Sequence, residues 1–200
     1  RLSANDLTIP AIGTAANIID VIPDQIVTGH STATLPVKDG HWQVDLAHDI
    51  AKLVVIERHG RGGHIGKAFV RGFGMQRGAL ASTVAHDSHN LICIGTSDED
   101  ILAAVYALTE AGGGLVVVEG GKPTAQLALP IAGLMSDQGA AVVVKGVEAL
   151  HEAAKKLGCP LSAPFMALSF LALPVIPHLK LTDRGLVDVD KFSLIELAAS

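Results

Sequence analysis

The densest group of chemically capable side chains is a run of five, His86-Asp87-Ser88-His89-Asn90, set between the apolar segments Gly78 to Ala81 and Leu91 to Gly95. Polar groups in such surroundings are costly to bury unless they bond one another or a ligand. As a flat strand, the run would put Asp87 and His89 on one face and His86 and Ser88 on the other. Bent into a turn, it would bring them together. In that form His86, Asp87 and His89 could hold a divalent metal or position a water for acid/base work, the carboxylate fixing a histidine tautomer. Two other readings stand beside it: a hydrogen-bonded network pinning a loop in the core, and a contact with another molecule.

Glu57-Arg58-His59 forms a second group, at the end of an apolar strand and followed by Gly60-Arg61-Gly62-Gly63-His64-Ile65-Gly66. A strand end feeding a glycine-rich loop is a common place for a site. Glu57 with Arg58 could clamp a polar ligand there, or form a surface ion pair beside the loop. The glycines fit neither phosphate-cradling pattern. Ser136-Asp137 and Thr182-Asp183-Arg184 read first as turns or helix caps. The sequence has no nucleophile elbow, no CxxC and no HExxH, so serine hydrolase, zinc ribbon and zincin readings lack their minimum parts.

These residues must be positioned by two kinds of segment, with the change near residue 50. Before it, Asn17 to Ile22, Gln25 to Thr28, Thr32 to Val37 and Trp42 to Leu46 read as short antiparallel strands, and Asp39-Gly40 is the clearest hairpin signal. After it, Ala51 to Glu57 and Leu91 to Gly95 read as strands buried on both faces. A capping box at Thr96/Glu99 or Ser97/Asp100 opens a helix with its apolar stripe at Ile101, Leu102, Val105 and Leu108, ended by Gly112-Gly113-Gly114. Leu115 to Glu119 then completes a β-α-β unit. A second helix is expected over about Val147 to Leu157, with Gly158 as a left-handed cap. The proline-punctuated remainder predicts short strands and turns. The fold class is therefore mixed α/β: a short antiparallel segment over 1–48, then a layered β-α-β domain over 49–200.

Composition narrows the partners. At 200 residues, 49% hydrophobic, with net charge −5 and no basic run, the chain suits a packed core and disfavours nucleic acid and anionic membranes. The longest apolar stretch, Phe165 to Ile176, is too short to span a bilayer and is interrupted by Ser169 and Pro174. With no signal segment and with Cys93 and Cys159 read as reduced core residues, a cytoplasmic location is expected. The opening at Arg1 rather than a methionine, and a positive mean hydropathy, predict a part of something longer that buries surplus apolar surface against a partner.

The motifs also carry a resemblance. Lys52 to His59 (KLVVIERH), Gly72 to Gly74 with Gly78 to Ser82 (GFG…GALAS), Val84 to Asn90 (VAHDSHN), Leu129 to Asp137 (LPIAGLMSD), Pro164 to Pro177 (PFMALSFLALPVIP) and Leu179 to Val189 (LKLTDRGLVDV) recur in order over residues 50–195. As a set they resemble the C-terminal domain of the bacterial adenine deaminase family, within the amidohydrolase superfamily. The first 45 or so residues resemble the returning strands of the small β domain that accompanies the barrel there. The resemblance implies hydrolytic deamination of adenine to hypoxanthine and ammonia, by a homo-oligomer with iron, manganese or zinc held in a TIM barrel. This chain has no His-x-His pair, and it is short of the roughly 250 residues typical of such a barrel. No TIM barrel is expected here. The barrel and most metal ligands should lie upstream, and the chain alone should not deaminate adenine. For the His86 to Asn90 segment the resemblance leaves three roles: approaching the barrel mouth, binding an auxiliary metal, or capping the pocket. A ligand- or metal-binding module, or an assembly domain without catalysis, is the alternative.

Overall fold

The computed structural model describes residues 2–199. Its centre is an eight-stranded sheet in the order β10-β9-β7-β8-β5-β6-β1-β2. In chain order these strands are β1 (Ala16–Val21), β2 (Thr28–Ala33), β5 (Ile50–Ile56), β6 (Ile65–Arg71), β7 (Ala79–Ser82), β8 (Leu91–Gly95), β9 (Gly114–Glu119) and β10 (Lys122–Ala128). All neighbours pair antiparallel except β1 and β6, whose parallel pairing joins the first two strands to the rest. A small hairpin, β3 (Val37–Lys38) and β4 (His41–Trp42), turns at Asp39-Gly40 with φ of 51° and 76°. Both values suit the turn type that this dipeptide favours. Gln25 to Thr28 is a loop up to Thr28, where β2 begins.

The sheet is covered on both faces, which explains the unbroken apolar runs of β5 and β8. Leu53, Val55, Leu80, Ile92, Ile94 and Val117 face α2 (Ala140–Lys156) and α3 (Pro164–Phe170). Their sheet neighbours Val54, Ala79, Ala81, Cys93, Val116 and Val118 face α1 (Asp98–Glu110). Each such side chain, fully buried, contributes roughly 1.5–3 kcal/mol of transfer free energy if it is Val, Leu, Ile, Phe or Met. Both cysteines are buried, and burial pushes both thiols upward, so they act as core residues.

The capping pair is Ser97 and Asp100: Ser97 Oγ accepts from the Asp100 N–H at 3.2 Å. Helix α1 does connect β8 to β9, but β7 lies between these two strands and pairs with each. The β-α-β unit is therefore split, with α1 arching over an inserted strand. Helix α2 starts at Ala140, well before the expected Val147, because Ala140 to Val144 continues the helix despite its β-branched composition. Gly158 takes the left-handed cap with φ 101°. In the proline-rich remainder Pro164 occupies the first turn of the short α3, where its missing N–H does no harm. A three-stranded sheet follows, β11 (Leu179–Thr182), β12 (Gly185–Asp188) and β13 (Ser193–Ile195). The outer strand β10 carries Lys122 and Pro123 with a bulge between Pro123 and Ala125. At the other margin, Thr28 of β2 bonds the backbone of Pro177 and His178.

Candidate functional site

The His86 to Asn90 run is a turn, closed by the His89 N–H donating to the Ala85 carbonyl at 2.6 Å. It stands at the mouth of β8, beside the loop that joins β5 to β6. That loop closes where the Glu57 N–H meets the His64 carbonyl at 3.0 Å. Glu57 organises it: the carboxylate accepts from the backbone N–H groups of His59, Arg61 (2.9 Å) and Gly63 (3.1 Å). Burial works against the charge, but the N–H groups of Gly63, His59 and Arg61 outweigh it and hold the Glu57 carboxyl below its ordinary range.

Between turn and loop lies a polar cavity of about 510 Å³, lined by Glu57, His59, Arg61, His64, Asp87, Ser88, Asn90, Asp183 and Arg184. His59 Nε2 donates to the Ser88 carbonyl at 2.8 Å, which ties the loop to the turn. Asn90, 3% exposed, donates from Nδ2 to Asp183 Oδ1 at 3.2 Å, and Asp183 Oδ2 faces His64 Nδ1 at 3.8 Å. Asn90 Oδ1 is buried without a hydrogen-bond partner among the described residues.

Of the sequence candidates, the structure brings Glu57, His59, Asp87, Ser88 and Asn90 to one cavity. His86 turns away and packs on Phe170 of α3, ring centroids 5.0 Å apart, with the His89 ring edge-on at 5.7 Å. Burial, then the nearby His86 and Arg58, push the His89 imidazole downward and favour its neutral form. Arg58 makes no clamp with Glu57. It points to a separate cavity of about 200 Å³ with Thr83 and Leu91. Among the described residues no three His, Cys, Asp or Glu side chains are grouped to hold a metal ion, His86, Asp87 and His89 included. The donor set here does not fit a metal centre.

Arg61, His64, Asp183 and Arg184 complete the cavity, and sequence reasoning did not name them as site residues. Thr182-Asp183-Arg184 is indeed a turn, between β11 and β12, and the same turn is also a wall of the cavity. The signal lay in Gly66, whose bare backbone lets that turn approach β6. Ser136-Asp137 is an exposed turn, with Ser136 Oγ accepting from the Gln138 N–H at 3.0 Å.

The sequence profile of the adenine deaminase C-terminal domain matches residues 25–193. The chain is similar to an adenine deaminase of Desulfatibacillum aliphaticivorans, 52% identical over 96% of this chain and 34% of the relative. It is similar to adenine deaminase 1 of Rhizobium johnstonii, 50% identical over 97% of this chain and 34% of the relative. It is also similar to adenine deaminase 2 of Carboxydothermus hydrogenoformans, 49% identical over 99% of this chain and 35% of the relative. The chain thus spans about a third of the length of the curated relatives it matches. With the profile matched over residues 25–193 and these relatives aligned over 96% or more of its length, the chain belongs to the adenine deaminase C-terminal domain family.

Proposed function

We propose that this chain is the C-terminal part of an enzyme that hydrolyses adenine to hypoxanthine and ammonia, with the amidohydrolase barrel upstream. The observation that carries the reading is the match to adenine deaminases over nearly all of this chain but only 34% of theirs. A divalent metal, manganese, iron or zinc, would activate the attacking water when held by the barrel. This chain's own residues would supply a polar wall. Asp87 and Ser88, exposed at the cavity, present an acceptor and a hydroxyl to a polar surface or heterocycle, while Asp183 braces Asn90 and His59 braces Ser88. Residues 1–48 are proposed to lead in from the small β domain, with β1 and β2 merging into the sheet. Homo-oligomeric assembly and a cytoplasmic location belong to the same reading. Among the described residues no helix is long and apolar enough to cross a membrane.

The test is ammonia release from adenine by the 200-residue chain and by the same chain with its upstream polypeptide, each supplied with manganese. Turnover is expected only from the longer protein, and Asp87→Ala should lower it while the fold survives. Equal turnover by both would overturn the division of labour.

A further inference from the structure

Arg58 is half-buried, and no carboxylate pairs with it among the described residues. Its guanidinium instead donates from Nε to the His89 carbonyl at 2.6 Å and from Nη2 to the Ala132 carbonyl at 2.7 Å. These two acceptors share an uncommon property: both His89 (φ 49°) and Ala132 (φ 58°) are left-handed residues that are not glycine. Such conformations are unfavourable for L side chains and persist only where the surroundings over-determine them. The next residue, Gly133, is itself left-handed (φ 74°), and a Cβ there would lie 2.7 Å from Arg58 Nη2. Its carbonyl accepts from Thr83 Oγ1 at 2.6 Å. A planar fork with fixed donors suits this task in a way that a lysine point charge does not.

We propose that Arg58 is a positioning residue: one guanidinium holds the two left-handed residues, fixing the His86 to Asn90 turn and registering it against the Ile131 to Met135 loop. The shape of the cavity wall then depends on a side chain that does not line it. This rests on the adenine deaminase reading for its activity readout, but its structural half does not.

Two measurements on the full-length enzyme test it. Hydrogen exchange at the amides of 86–90 and 131–135 should quicken in both loops together in Arg58→Ala, and less in Arg58→Lys. Ile18→Val, which thins the packing under β1, two strands across the sheet from β5, serves as the stability control and should leave both loops unchanged. In the deamination assay, Arg58→Ala should lose roughly tenfold or more in kcat/KM. Added guanidinium should restore part of that loss, whereas Ile18→Val should keep the wild-type value. Unchanged exchange in Arg58→Ala, or a kcat/KM loss no greater than that of Ile18→Val, would overturn the proposal. A wild-type enzyme that releases no ammonia from adenine would sink the family reading instead, and the exchange result would still decide the role of Arg58.

Discussion

Gly66 and Thr182 meet backbone to backbone: a Cβ on Gly66 would lie 1.8 Å from the Thr182 carbonyl oxygen. The φ of Gly66 is not left-handed, so what this position demands is space and not an unusual conformation. The contact seats the β11–β12 turn over the start of β6, and with it Asp183 and Arg184. One wall of the cavity thus depends on a side chain that is not there.

Gly66→Ala should therefore destabilise the fold by about 1–3 kcal/mol or more, since neither backbone can yield cheaply. Urea unfolding measures it, and an unchanged midpoint would mean that the hairpin shifts freely. The same variant should weaken any ligand of the cavity.

Thr83 is a second point where a small change should be felt. Its hydroxyl donates to the Gly133 carbonyl at 2.6 Å and accepts from the Gly114 N–H at 2.8 Å. Thr83→Val keeps the shape but strands both backbone groups, an expected loss of about 2–4 kcal/mol. Thr83→Ser should lose much less. Comparable losses for the two variants in chemical denaturation would assign the effect to packing.

Lys180 is fully buried, with its amine donating to the Ile26 carbonyl at 2.9 Å. Burial pushes its pKa down to about 8 from the ordinary 10.5. Between those values the unfolded chain binds a proton that the folded chain has released, so this group's contribution to stability rises with pH across the window. Below about pH 8 the burial penalty is present in full. Lys180→Met, neutral throughout, should lack the rise. The unfolding free energy of the wild type should therefore gain on the variant by an amount on the order of a few kcal/mol between about pH 7 and about pH 10. A constant difference would show that the amine titrates normally.

The N-cap of helix α2 is Gly139, which supplies no capping side chain and has open space where a Cβ would go. Its backbone is already extended (φ −65°, ψ 154°). Gly139→Ser should therefore stabilise the protein by a few tenths of a kcal/mol, read as a small upward shift in melting temperature. A downward shift would show that the hydroxyl does not reach the first-turn N–H groups.

Local signals were legible where short-range chemistry decides the structure. The Asp39-Gly40 hairpin, the Ser97 cap and the buried runs of β5 and β8 could all be read along the chain. The start of α2 could not, because Val142-Val143-Val144 looks like strand, yet the helix runs through it with Val142 and Val144 exposed. Nor could the insertion of β7 between β8 and β9, since strand order is a matter of long-range pairing. At the site, the polar run announced itself by its apolar flanks. Asp183 and Arg184 lie more than 90 residues further on, and long-range contacts such as the close approach at Gly66 bring them in. Arg58 was visible as a charge beside a glycine loop, but its engagement with two carbonyls depends on backbone angles that no spacing reveals.

The bulged, proline-bearing strand at one border of the large sheet leaves little unpaired backbone in register for another chain to copy. At the opposite border, the first residue of the outermost strand already spends its N–H and carbonyl on Pro177 and His178. Growth by adding strands is thus discouraged at the first border and obstructed at the start of the second. Edges of this kind favour contacts through side chains and loops, which keeps the adhesive power of a wide, apolar sheet out of recognition.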